Sequence, residues 1–110
     1  MNESEFDQLA DDAIAAIEEA VDDSGADIDY DTAGGILTLE FGDGSQIIVN
    51  KQAPLSQIWV AARAGGFHFD YDADGDCWRL QGKDDELFAA LSRWCSEQAG
   101  EKITLEPPPH

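Results

Sequence analysis

The feature that most restricts this chain is the spacing of its strand-like runs between residues 36 and 80. ILTLEF (36–41), QIIVN (46–50), QIWVAA (57–62), FHFDY (67–71) and CWRL (77–80) follow one another with only short links between them. A parallel pair needs a crossover of a dozen residues or more, so consecutive runs must pair antiparallel. Gly42-Asp43-Gly44 and Gly65-Gly66 read as turns. Asp27, Asp29 and Asp31 alternate just upstream, and in a strand they share one face. The sheet therefore has five or six strands. Parity within 57–62 puts Ile58, Val60 and Ala62 on one face and Gln57, Trp59 and Ala61 on the other. If the aliphatic set is covered, Trp59 lies on the uncovered face, and His68 joins it by the same rule.

Helical periods flank the strands. Phe6, Leu9, Ala10, Ala13, Ile14, Ile17, Ala20 and Val21 recur at i, i+3, i+4 and predict a helix over 3–23. Leu87, Phe88, Leu91 and Cys95 predict a second from about Asp85 to Ala99, with Asp84 as N-cap and Gly100 as stop. Helix, strands, helix in this order implies an α+β fold. It is a two-layer α/β sandwich in which two terminal helices pack on one face of a five- to six-stranded antiparallel sheet. With 110 residues, 43% of them hydrophobic, the chain can bury one modest core. No repeat or linker divides it. Residues 1–106 read as a single domain and 107–110 as a proline-rich tail that cannot join a sheet.

Charge is distributed unevenly. There are 24 acidic and 6 basic residues, a net charge of −18, and every charged residue before Lys51 is acidic. Such a surface repels nucleic acid and anionic membranes and attracts cations and basic protein surfaces. Every acid of the first helix falls outside its apolar arc. Glu18, Glu19, Asp22 and Asp23 sit near the C-terminal end, where the helix dipole disfavours negative charge. Glu18/Asp22 and Glu19/Asp23 are i,i+4 like-charge pairs, each unfavourable by a few tenths of a kcal/mol. An ordinary solvated face mixes both signs. Like charge placed where it destabilises argues for binding.

DYDADGD (70–76) has the opening of a calcium loop, with Asp70, Asp72 and Asp74 alternating before Gly75. Position 12 of that loop falls on Gln81, which cannot supply the bidentate carboxylate. The preceding FHFDY has the period of a strand. An Asp/Gly turn in a hairpin is the expected structure. No Ser/His/Asp set, HExxH, Walker loop or GxGxxG occurs, and there is no buried di-iron ligand set, so an enzyme is not expected. One internal His and no clustered Cys disfavour a tight zinc or copper site. Surface carboxylates suit hard or borderline cations such as Fe2+ or Fe3+, held weakly at several places. Asp7 and Asp11 extend the acidic stripe towards the start of the helix and count with it as candidate metal ligands. No run approaches a membrane span and MNESEFDQ does not resemble a signal peptide, so the expected location is cytoplasmic. Cys77 and Cys95 then read as reduced thiols.

The run Asn50-Lys51-Gln52-Ala53-Pro54-Leu55-Ser56-Gln57-Ile58-Trp59 resembles the frataxin signature N-[K/R]-Q-x-P-x-x-Q-x-W, and Gly65-Gly66-Phe67-His68-Phe69 resembles that family's G-G-[Y/F]-H-F. The acidic first helix and first strand match its acidic ridge. The resemblance covers about residues 2–105 and is to the bacterial branch, the CyaY family. It implies an iron-binding protein that modulates iron–sulfur cluster assembly. Its partners would be a cysteine desulfurase and an iron–sulfur scaffold protein. By position, Glu18, Glu19, Asp22, Asp23, Asp27, Asp29 and Asp31 would bind iron and meet a basic desulfurase patch. Asn50, Gln52, Gln57 and Trp59 would be the sheet surface that touches the machinery. Asp7 stands where some bacterial relatives carry a histidine. The expected state is a monomer without iron, with iron-driven oligomerisation open. Two rivals remain at this point: an acidic DNA mimic and a low-affinity calcium module.

Overall fold

The computed structural model describes residues 1–107. Helix α1 (Glu3–Ser24) is followed by strands β1 (Asp29–Ala33), β2 (Ile36–Glu40) and β3 (Gln46–Gln52). A single 3-10 turn (Ala53–Leu55) then leads to β4 (Gln57–Ala62), β5 (Gly65–Asp72), β6 (Cys77–Leu80) and helix α2 (Leu87–Ala99). The six strands lie in sequence order and every pair is antiparallel, as the short links require. Both helices cover one face.

Alternation decides which side chains are covered. Leu37, Leu39, Ile47, Val49, Ile58, Val60, Phe69, Trp78 and Leu80 point to the helices and are buried. They meet Phe6, Ile14 and Ile17 of α1 and Leu87, Leu91 and Trp94 of α2 in one core. Phe67 stacks on Trp94 at 4.3 Å between ring centroids, and the Phe6 ring meets Trp78 edge-on at 6.0 Å. The ends of α1 are satisfied locally. The Asn2 side chain accepts a hydrogen bond from the Glu5 N–H at 2.8 Å, and Gly25 closes the helix in the left-handed region at φ 70°.

The segment after α2 belongs to the core. Ile103 and Leu105 are buried, and two serines of α2 hold their backbone. Ser96 Oγ accepts from the Ile103 N–H and Ser92 Oγ from the Leu105 N–H, each at 2.8 Å. Both hydroxyls donate back to their own helix, to Ser92 O and Phe88 O. Buried Gln98 ties the end of α2 to two turns: its Oε1 accepts from the Arg63 N–H at 2.9 Å and its Nε2 donates to Ser45 Oγ at 3.1 Å. Of the proline tail 107–110, residues 108–110 lie outside the described residues.

Three local expectations are corrected. Gly65 and Gly66 are not the turn; they pair with Ala62 and Ala61 inside the β4–β5 ladder, and Arg63-Ala64 makes the turn, anchored by Gln98. Strand β2 stops at Glu40, because the Phe41 N–H bonds Ser45 O and Phe41 O accepts from Gly44 in a turn. Helix α2 begins two residues late, with Glu86 rather than Asp84 as its cap. Leu80 N–H donates to Asp85 O and Arg79 bridges Glu86, so those residues serve the sheet edge first. Glu86 Oε2 then accepts from the Phe88 N–H at 2.9 Å.

Leu105 is 2% exposed, so Leu105→Ala should lower the unfolding free energy by about 2–4 kcal/mol in urea titration; a loss below about 0.5 kcal/mol would remove this segment from the core. Both cysteines are free thiols. Burial pushes the Cys95 thiol up to about 12. An aromatic disulfide reagent at pH 8 should modify half-buried Cys77 and leave protonated Cys95 untouched until urea unfolds the chain.

Candidate functional site

The acidic residues predicted from the sequence form a ridge that wraps an edge strand. Within β1, Tyr30 and Thr32 face the helices, opposite Leu39 and Leu37. The Tyr30 hydroxyl donates to Asp22 Oδ2 at 2.8 Å and the Thr32 hydroxyl to Glu18 Oε2 at 2.6 Å. Asp22 holds the Tyr30 phenol above its ordinary pKa, chiefly by accepting that hydrogen bond. Glu18 and Asp22 therefore lean over β1 from the helix layer. Glu19 and Asp23 lie on the other flank of α1, beside Thr104 and Glu106. Asp29 and Asp31 have the opposite parity and project on the uncovered side of the sheet, where Glu40 is the register partner of Asp29. Asp27 is exposed in the connection between α1 and β1. No basic residue occupies the last turn of α1. The two hydroxyls compensate two of its carboxylates, and the rest face water.

Asp7 and Asp11 are engaged differently. Lys51, whose parity in β3 turns it to the helix side, places Nζ 3.0 Å from Asp11 Oδ1 and 3.6 Å from Asp7 Oδ1. The hydrogen bond to Asp11 raises the Lys51 pKa. A metal ion at these two carboxylates would have to displace an ammonium group, so they are separate from the ridge. Among the described residues, no three His, Cys, Asp or Glu side chains come together as a metal cage.

The turn at 73–76 closes a hairpin, as its sequence implies. Asp72 Oδ1 accepts from the N–H groups of Asp74 and Gly75, and Asp72 Oδ2 accepts from Arg79 Nε at 2.9 Å. These bonds, led by Arg79, hold the Asp72 carboxyl below its ordinary pKa. Asp76 accepts from the Tyr71 hydroxyl. A Cβ at Gly75 would meet Asp72 Oδ2 at 3.0 Å, so a side chain there would push the Asp72 carboxylate aside. Asp72 is spent on folding the turn, not arranged around a cation.

The four signature residues meet on the uncovered face. Asn50 lies directly across from Trp59, and Gln52 across from Gln57. Trp59 is half-buried and stacks on exposed His68, with centroids 4.3 Å apart and planes 12° from parallel. Its Nε1 donates to Gln57 Oε1 at 2.8 Å, and Gln57 Nε2 donates to Asp70 Oδ1 at 3.0 Å. Gln57, read from the sequence as a contact residue, is only 9% exposed; its amide is spent on holding Trp59 in place. Trp59 rests on His68 and Gln57. Exposed Ile36 extends the row Ile36–Asn50–Trp59–His68 towards β1. Asp31 and Trp59 thus share one face of the sheet, three strands and two residue positions apart. Sequence reasoning missed the clamping of Asp7 and Asp11 by Lys51, and the Tyr30 and Thr32 hydroxyls beneath the ridge. Parity in β1 and β3 carries both signals.

Among the described residues, no helix is long and apolar enough to cross a membrane. The family model for the frataxin-like domain matches residues 1–101. The chain is 50% identical over 103 residues to the iron-sulfur cluster assembly protein CyaY of Pseudomonas aeruginosa, covering 94% of this chain and 95% of the relative. It is 51% identical over 106 residues to the protein of the same name from Paraburkholderia xenovorans, covering 96% and 99%. A solved frataxin from Psychromonas ingrahamii superposes with a TM-score of 0.88 at 42% identity, over 96% of this chain and 99% of that one. A match of this extent shows that the solved frataxin has the same sandwich fold. This chain belongs to the frataxin-like family, in its bacterial CyaY branch.

Proposed function

We propose that this protein acts in iron–sulfur cluster assembly in the cytoplasm, as an iron donor or iron-responsive modulator and not as an enzyme. It docks on the cysteine desulfurase and scaffold complex through its acidic ridge and the Asn50–Trp59 face. The observation that carries this reading is the ridge. Glu18, Glu19, Asp22 and Asp23 crowd the end of α1 with no base in its last turn, and Asp29 and Asp31 extend the charge around β1. Like charge at a helix C-terminus costs stability, and a role in binding is what such a cluster can return for that cost. A basic protein patch uses it by electrostatic steering, and iron uses it by weak carboxylate ligation. Iron is cargo in this reading, held as Fe2+ or Fe3+ at several surface positions. The signature face supplies the second contact: Trp59, fixed by Gln57 and His68, is a rigid aromatic of the kind that anchors interfaces. A net charge of −18 argues against nucleic acid as a partner. The DNA-mimic reading accounts for the acidity but gives no use to the Trp59 row. The calcium reading loses its site to the internal bonds of Asp72.

Anaerobic cluster formation on a scaffold, with its desulfurase and Fe2+, should change rate when this protein is added. Reversing Glu18, Glu19, Asp22 and Asp23 to Lys should abolish the change. Absorbance of the growing cluster reports both, and a native protein without effect at any iron concentration sinks the proposal. Affinity for the desulfurase should fall steeply from low to high ionic strength.

Relief of the ridge should also stabilise the fold. Asp23→Lys places a cation in the last turn of α1 and converts the Glu19/Asp23 repulsion into an attractive i,i+4 pair. Its thermal midpoint should rise by a few degrees while desulfurase binding weakens. A lower midpoint would show that Asp23 holds the native structure rather than serving a partner.

A further inference from the structure

The two edges of the sheet are finished differently. At the β6 edge the chain folds back on itself: Leu80 N–H reaches Asp85 O, and Arg79 bridges Glu86. Among the described residues, the β1 edge has no backbone partner beyond its ladder with β2. β1 is the terminal strand, all five of its residues are exposed, and among the described residues its backbone bonds to no element other than β2. An edge of this kind is a template for one more strand. Proteins usually blunt such edges with lysine, proline or a bulge. β1 reads Asp29-Tyr30-Asp31-Thr32-Ala33, with a regular register and none of these devices.

The charge around the edge selects what can add to it. On the uncovered side an incoming strand would lie beside Asp29 and Asp31, with Glu40 behind them. On the helix side it would lie beside Tyr30 and Thr32, whose hydroxyls hold Asp22 and Glu18. Carboxylates therefore stand on both faces of one bare edge. A second copy of this chain brings its own β1 acids and is repelled, which explains how the edge stays free without a lysine. A basic segment meets the opposite sign on both faces while its backbone completes the ladder.

We propose that β1 is a strand-addition site for an extended, lysine- or arginine-rich peptide segment of a partner protein, which joins the sheet as a seventh strand. Basic side chains at alternate positions of that segment lie over Asp29 and Asp31. The intervening ones, β-branched or aliphatic, pack beside Tyr30 and Thr32. This deepens the reading of the ridge as a protein-docking surface and rests on it. It adds that the contact is made by main-chain hydrogen bonds as well as by charge, so partner recognition depends on an extended conformation and not only on net charge.

The test needs no desulfurase. A capped peptide of about seven residues alternating Lys and Val is titrated onto the intact protein, and amide hydrogen exchange is followed residue by residue. Binding should slow exchange within Asp29–Ala33 and leave α2 unchanged. Two further peptides of identical charge are N-methylated, one at the lysines and one at the valines. An added antiparallel strand turns alternate amides to the edge, so one methylated peptide should bind like the parent and the other at least tenfold more weakly. Asp29→Lys with Asp31→Lys, at two exposed positions, should remove binding while the circular dichroism spectrum is retained. Equal binding of both methylated peptides overturns the proposal and shows a side-chain contact only. No binding overturns it, and so does concentration-dependent protection of β1 without peptide, which would mean that a second copy fills the edge. Each of these results leaves the cluster-assembly assay to succeed or fail on its own.

Discussion

Phe6, Ile17, Leu87 and Leu91 have one place to be out of water, and that is the alternate side-chain set of a single sheet. Because strand side chains alternate strictly, burying Leu37, Val49, Val60 and Phe69 under the helices forces Thr38, Asn50, Trp59 and His68 to the other side. A one-residue slip in any strand would exchange the two sets. The same packing that hides the core therefore builds the Trp59 face, turns Lys51 towards Asp7 and Asp11, and sends Asp29 and Asp31 away from Glu18 and Asp22. Function on this scaffold follows from parity before any individual side chain is considered.

The ridge is the point at which that scaffold gives up stability. Its bases are used elsewhere: Arg63 meets Asp43 at 2.7 Å, Arg79 meets Asp72, and Lys51 meets two aspartates. Only 6 basic residues are available against 24 acids, and five of the paired carboxylates draw on four of those bases. None of the four is spent on the end of α1. The compensation there is neutral, through Tyr30 and Thr32, which orient Asp22 and Glu18 without cancelling their charge. An oriented, uncancelled carboxylate is what both a cation and a basic patch require.

Much of this was legible in the sequence, for identifiable reasons. Short links forced the antiparallel sheet, the 3.6-residue period of Phe6–Val21 gave α1, and the alternation in QIWVAA placed Trp59 on the open side. The misreadings share a cause. Gly65-Gly66 looked like a turn because glycine usually marks one, yet the turn position was fixed by buried Gln98, which is far away in sequence. Asp84 looked like a cap because local spacing favoured it, yet the sheet edge claimed Asp85 and Glu86. Gln57 looked like a contact because it lies in the signature, yet Trp59 and Asp70 use its amide. In each case a hydrogen bond that residue spacing does not reveal overrode a local preference. The ion pairs of Asp7 and Asp11 were hidden for a related reason, since their partner Lys51 is 40 residues from Asp11.

The latch of Ile103 and Leu105 against α2 bears on how the chain folds. Thr104 and Glu106 lie beside Ala16 and Ala20 of α1, so the first helix is completed by a segment that follows all six strands and α2 in the sequence. Until that segment docks, α1 and the helix-facing side of the sheet have apolar surface without its final cover. The contact of longest sequence separation is thus the one that closes the core, and the strong negative charge of the N-terminal half keeps incompletely closed chains apart.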